Sequence, residues 1–327
     1  MANASENLQQ VSTREVARER RAFGATGFNV SPLGFGGAPI GYLETDRARV
    51  DTMLNWMLDQ GINVIDTAAS YEGSEEAIGR SVSHRRDEYV LVSKCGQTFP
   101  GLPGDAWSST VIQATVDRSL KRLRTDRIDV VLLHSCDESV LEKGEALGAL
   151  IALRDQGKVR FAGYSGDNAA AISAARLSDV AVIETSINIC DQVNIEAVLP
   201  AARKRDLAVI AKRPIANAAW KPIEKQPGMY ATYAQEYSRR LVAMGLTPKD
   251  LGYDGPPEEM WPEISLRFTL SQPGVHTAIV GTTNLEHLEA NLAAVRNGPL
   301  PDQLVDQLRA AFQRARAASV EPWTGQT

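Results

Sequence analysis

An aspartate closes the apolar run INVID at residues 62–66, and a tyrosine follows five positions later in the Gly- and Ser-rich stretch TAASYEGSEEAIG. A carboxylate at the end of a buried strand is costly unless it is paired, so Asp66 calls for a cation. The run EYVLVSK supplies one at Lys94, and DVVLLH ends on His134. With Tyr71 these side chains make a proton-transfer set. A free phenol has a pKa near 10, too high for efficient exchange around neutrality. An ammonium about 4 Å away, at an effective dielectric of ~20, contributes roughly 4 kcal/mol and is expected to pull Tyr71 down by about two to three in pKa. In this reading Asp66 keeps Lys94 charged and aimed, and His134 orients a substrate oxygen.

Three strand ends and one loop can meet only in a fold that brings neighbouring strands about 4.8 Å apart with their ends on one side. Short apolar runs alternate with amphipathic stretches along the chain. They are SPLGFGG (31–37), INVIDT (62–67), EYVLVSK (88–94), DVVLLH (129–134), VRFAGYS (159–165), VAVIETS (180–186), LAVIAKRP (207–214) and HTAIVGTT (276–283). Such near-continuous runs read as parallel strands covered by helices, and eight of them close a (β/α)8 TIM barrel. A doubly wound dinucleotide fold is the rival, but its glycine fingerprint fails at GFGGAP, where Pro39 stands in the third glycine's place. The expected architecture is a single α/β barrel over residues 21–318, with a polar extension at 1–20 and a tail at 319–327. Long loops follow the third and seventh strands, CGQTFPGLPGDAW (95–107) and residues 215–257. The latter holds Trp220, Tyr230, Tyr233, Tyr237 and Tyr253, with a helical pattern in YAQEYSRRLVAMG.

A formal net charge of -5 offers no electrostatic case for nucleic acid. No apolar run approaches the ~18 residues that span a bilayer, and the polar start lacks the apolar core of a secretory signal. Three dispersed cysteines, Cys95, Cys136 and Cys190, form neither a disulfide framework nor a metal motif. A reducing, cytoplasmic setting and a metal-free site are therefore expected.

These motifs resemble those of the aldo-keto reductases, over nearly the whole chain. DTAASYEGSEEAIG is similar to the strand-two signature, VLVSKCG to the lysine motif, DVVLLHSCD to the histidine motif and QGKVRFAGYS to the G-K-[IV]-R-x-x-G-x-S motif. GATGFNVSPLGFGG resembles the N-terminal hairpin leading into strand one. The resemblance implies a nicotinamide-dependent oxidoreductase acting on a small carbonyl or alcohol substrate, with Asp66, Tyr71, Lys94 and His134 as catalytic residues. It implies cofactor contacts from Gly37, Ala38, Asp66, Ser165, Gly166, Glu184, Lys212, Arg213, Pro214, Gly281, Thr282, Thr283, His287 and Asn291.

The chain departs from the family pattern at several of these. The usual asparagine after Ser165 is replaced by Gly166-Asp167, with Asn168 next, the usual glutamine is Glu184, and Lys212 or Arg213 stands where an aromatic commonly stacks on nicotinamide. Gly281 and His287 occupy the places of the lysine and arginine that many members use for the adenosine 2′-phosphate. NADP(H) is favoured and NAD(H) is the alternative. Tyr42, Phe99, Trp107, Trp220 and the tyrosines of the long loop are expected to wall the substrate pocket. Competing functions are an NAD-dependent sugar or polyol dehydrogenase and a nicotinamide-binding regulatory subunit with little turnover.

Overall fold

Val90–Cys95 and Ile128–His134 are built mainly from β-branched and aliphatic residues, which suit a pleated surface packed on both sides. In the computed structural model, which describes residues 19–42, 46–225 and 231–327, both form strands of a closed barrel. A short antiparallel hairpin comes first, β1 (Arg21–Ala22) with β2 (Asn29–Val30). The barrel strands are β3 (Leu33–Gly36), β4 (Val64–Asp66), β5 (Val90–Cys95), β6 (Ile128–His134), β7 (Val159–Ser165), β8 (Val182–Ser186), β9 (Ala208–Lys212) and β10 (Thr277–Val280). They pair in parallel in chain order, and β10 closes on β3. This is the (β/α)8 barrel with an N-terminal hairpin that the apolar runs and motifs predict.

Side chains alternate between the faces of a strand, and here the inward ones come in layers. Val64, Val90, Val92, Val130, Leu132, Val182, Ala208, Ile210 and Ile279 form one buried cluster inside the barrel, joined by Phe23 and Val30 of the hairpin. The hairpin lies at the N-terminal end of the strands, where the Ala25 N–H donates to the Asp206 carbonyl ahead of β9 (2.9 Å). Two residues beyond the apolar layer the inward face turns polar. Asp66 follows Val64, Lys94 follows Val92, His134 follows Leu132, Glu184 follows Val182 and Lys212 follows Ile210. The stagger of the strands sets Asp66 beside Val92 and Lys94 beside Leu132, whereas His134, Ser165 and Glu184 stand level with one another.

The surrounding helices bury one face each. Helix Ser109–Leu123 turns Val111, Ile112, Val116 and Leu123 inward, and the Ser108 hydroxyl caps it by accepting from the Val111 N–H at 3.3 Å. Helix Ser74–Val82 packs tightly on it, since a Cβ at Gly79 would lie 2.1 Å from the Arg122 carbonyl oxygen. After β9 the predicted helix runs over Ala231–Met244. Tyr230, residues 1–18 of the polar extension and the side chain of Tyr42 lie outside the described residues. No helix among those described is long and apolar enough to cross a membrane.

Candidate active site

Lys94 Nζ lies 2.6 Å from both carboxylate oxygens of Asp66 and donates to the Thr67 carbonyl at 3.0 Å. The predicted partner of Asp66 is thus in place, with both side chains buried. Lys94 Nζ also sits over the Tyr71 ring at 5.4 Å from its centroid, and the Tyr71 and His134 rings meet edge to face at 6.1 Å. His134 Nδ1 faces Ser70 Oγ at 3.5 Å. Four residues from three adjacent strands and one loop therefore converge at the C-terminal mouth, where barrel enzymes carry their chemistry.

Electrostatics corrects one expectation. Burial pushes the Tyr71 phenol above its ordinary pKa; Lys94 pulls it down, but Asp66 and Glu184 push it up again. Burial is the largest of these effects and outweighs the pull of Lys94, so the expected net lowering of Tyr71 does not occur. Desolvation opposes the Lys94 charge, yet Asp66 and Glu184 overcome it and hold the ammonium well above the usual lysine range. His134 is driven down to about 3, by burial first and then by the Lys94 charge, so its ring is neutral. Burial also pushes up the thiols of Cys95, Cys136 and Cys190, which are inert packing groups.

Above this floor opens a cavity of about 620 Å³. Ala38, Asp66, Tyr71, His134, Ser165, Glu184, Lys212, Arg213, Pro214 and Gly281 line it. Lys94 lies beneath, behind Asp66. Gly37 and Gly166 are packed against neighbours instead: a Cβ at Gly166 would fall 2.5 Å from Tyr164 Oη. Thr282, Thr283, His287 and Asn291 lie past Gly281, in or just before helix Leu285–Arg296 and outside the cavity. Of the expected aromatic walls, Phe99 lies under the Arg118 guanidinium (5.0 Å), Trp107 covers Gly96, and Trp220 stacks on Trp261 (6.4 Å). These rings pack the long loops rather than face the cavity. Tyr237 and Tyr253 likewise bond within the protein, to Asp191 and Arg267.

The polar layer carries two further pairings. Asp167, of the Gly166-Asp167 pair that replaces the family's asparagine, is fully buried and engaged. It accepts from Thr185 Oγ1 (2.8 Å), the Ser186 N–H (2.7 Å) and Asn194 Nδ2 (2.8 Å), and pairs with Lys212 Nζ at 3.0 Å. Glu184 accepts from Ser165 Oγ at 3.1 Å through one oxygen; the other lies 3.4 Å from Lys94 Nζ and accepts no hydrogen bond. Burial works against the Glu184 charge, but Lys94 and Lys212 hold its carboxyl low.

Sequence reading missed several lining residues. Gln97, Ser135, Asn217 and Thr327 all face the cavity without a sequence signal that places them there; Tyr233, one of the long-loop tyrosines expected at the pocket, faces it too. Asn217 sits in a left-handed turn of three consecutive non-glycine residues (φ 46, 48 and 53 at 216–218), with a buried, unpartnered Nδ2. Such strain concentrates at functional loops; the Gly-free sequence IANAAW gives no local sign of it. The segment 323–327 is drawn in over this side. Trp323 packs on Phe312 and lies under Arg240, the Asn168 side chain clasps Gly325 through N–H and C=O (2.7 and 2.8 Å), and the Gln326 carbonyl accepts from Ser186 Oγ and Arg213. Arg213 in turn stacks on Tyr233, 3.9 Å from its centroid.

Comparison with known proteins agrees with this architecture. The model of the Aldo/keto reductase family matches residues 32–312, and the chain belongs to that family of oxidoreductases. Among curated relatives it is 27% identical to the uncharacterized oxidoreductase YqkF of Bacillus subtilis over 306 residues, 89% of this chain and 95% of the relative. It is 26% identical to the L-galactose dehydrogenase of Arabidopsis thaliana over 292 residues, 85% and 88% of the two chains. The solved holo form of aldo-keto reductase AKR11C1 from Bacillus halodurans shares the fold with a TM-score of 0.76 at 24% identity, covering 94% of this chain and 98% of that one.

Proposed function

We propose that the protein is a nicotinamide-dependent carbonyl reductase or alcohol dehydrogenase in which Tyr71 exchanges a proton with the substrate oxygen. The observation that supports this reading is the convergence of Tyr71, His134 and the Asp66–Lys94 pair on the floor of one cavity. With its pKa raised by burial, Tyr71 holds its proton at neutral pH, as a general acid must. Neutral His134 places a second polar group at the same substrate oxygen, and Lys94 supplies fixed positive charge behind the phenol.

The lining fits a nicotinamide cofactor. Glu184 offers a buried oxygen that accepts no hydrogen bond, Ser165 a hydroxyl beside it and Asn217 a donor that makes none. Ser165 and Glu184 would hold the carboxamide, while Arg213 and Asn217 would hold the phosphates. When bound, the cofactor supplies the hydride. NADP(H) remains favoured, since Thr283 and backbone N–H groups at the start of helix Leu285–Arg296 offer donors to a further phosphate. One observation favours NAD(H) and a sugar or polyol instead: the first turn of that helix carries Glu286 and no lysine or arginine. The relative named L-galactose dehydrogenase supports the sugar part of this second reading.

Titration with NADPH and NADH in parallel, followed by turnover on a panel of aldehydes, ketones and sugars, tests the reading. Tight NADPH binding with carbonyl turnover is the expected result. Preference for NADH with sugar oxidation selects the second reading. Cofactor binding without turnover on any substrate would point to a regulatory subunit, and binding of neither dinucleotide would remove the oxidoreductase assignment for this site.

A further inference from the structure

Two carboxyl groups share one lysine at the floor of the site. Asp66 (β4) and Glu184 (β8) both face Lys94 (β5), at 2.6 and 3.4 Å, and both are 2% exposed. Two carboxylates have only acceptors to offer, and the single ammonium they share balances only one of their two negative charges. Like charges this close in a buried site do not both ionise readily.

The surrounding charges leave room for that proton. His134 on β6 is neutral, Ser165 on β7 gives Glu184 its single hydrogen bond, and Lys212 on β9 is committed to Asp167 at 3.0 Å. Arg213 is turned to Ser186 and Gln326, and Tyr71 covers Lys94. Lys94 is thus the one ammonium in direct contact with both carboxyls among the described residues. Glu184 Oε2, buried and without a hydrogen bond, belongs to a residue that lines the cavity above.

Resting on the cofactor reading above, we propose that Asp66 and Glu184 together hold one proton in the unliganded site. They release it when the positively charged, oxidised nicotinamide ring is seated over them, and Glu184 thereby makes the site prefer the oxidised cofactor. The step is a simple ionisation: the O–H bond of the shared carboxylic acid breaks, its proton passes to bulk water, and no electrons move. The extra negative charge then faces a cationic ring. The reduced ring is neutral and gives no such drive, so the pair keeps its proton beneath it. A glutamine at 184 would be the same size but could not take part.

Isothermal titration calorimetry in two buffers of different ionisation enthalpy measures the protons released on binding. With NADP⁺ (or NAD⁺, whichever binds) the wild-type protein should release a substantial fraction of one proton, and with the reduced form close to none. Glu184→Gln should abolish the release and reduce the preference for oxidised over reduced cofactor by about tenfold. Infrared difference spectra of the unliganded proteins provide a check independent of binding: wild type minus E184Q should show a deuterium-sensitive carboxylic acid band. Binding of the oxidised form without proton release, equal release from E184Q, or absence of the acid band would overturn the proposal. Failure to bind either dinucleotide would instead overturn the cofactor reading, and this inference with it.

Discussion

At the scale of single residues, proton ownership decides what the site can do. Tyr71→Phe removes only the hydroxyl and should lower carbonyl reduction by about 10²–10⁴-fold, with cofactor affinity within a few-fold of wild type. Near-normal turnover would remove Tyr71 from its role. Once ionised, Asp66 adds its negative charge to the effects that hold protons on Lys94 and Tyr71. Asp66→Asn should therefore move the alkaline limb of the reduction profile to lower pH, and an unmoved limb would separate the pair from the chemistry. His134 gives a prediction about stability. Its pKa is about 3 in the folded chain, against about 6.5 unfolded, so the unfolded chain takes up the proton first. Stability should fall as pH drops from about 6.5 towards about 3, and His134→Gln should flatten that part of a urea-midpoint profile.

At the scale of elements, the segment 323–327 behaves as part of the barrel. Trp323 is buried between Phe312 and Arg240, and Arg240 Nη2 donates to the Thr324 carbonyl at 2.9 Å. Trp323→Ala should cost about 3–5 kcal/mol, read as a lower urea midpoint and faster proteolysis within 319–322. A loss below about 1 kcal/mol would mean the segment is not held as described. Asp191 adds a pH signature: its carboxyl is pushed up to about 7 by burial, while it accepts from the Gln326 N–H and Tyr237 Oη. A pKa raised on folding contributes stability that is lost as pH rises, here between about 4 and about 7. Asp191→Asn should remove that slope.

At the scale of the whole molecule, a filled barrel interior sets the height of the polar layer. A Cβ at Gly163 would lie 2.5 Å from Leu132 Cδ2 and 2.5 Å from the Val182 carbonyl oxygen. Gly163→Ala should cost about 1–3 kcal/mol and lower the melting temperature by about 2–4 °C for each kcal/mol, as calorimetry would show. An unchanged melting temperature would mean that the interior yields more than its packing implies. Much of this arrangement was legible in the sequence. Apolar runs mark strands, and a period of two places Asp66, Lys94, His134, Glu184 and Lys212 on one face because each stands two residues after an apolar inward neighbour. Those are local regularities, written into any stretch of chain long enough to show a period. Only the tertiary structure decided that Glu184 shares Lys94 with Asp66, that Asp167 is locked to Lys212, and that Asn168 clasps Gly325 across 157 residues of chain. The same holds for the net rise of the Tyr71 pKa, because desolvation depends on everything that closes over a side chain, most of which lies far away in sequence.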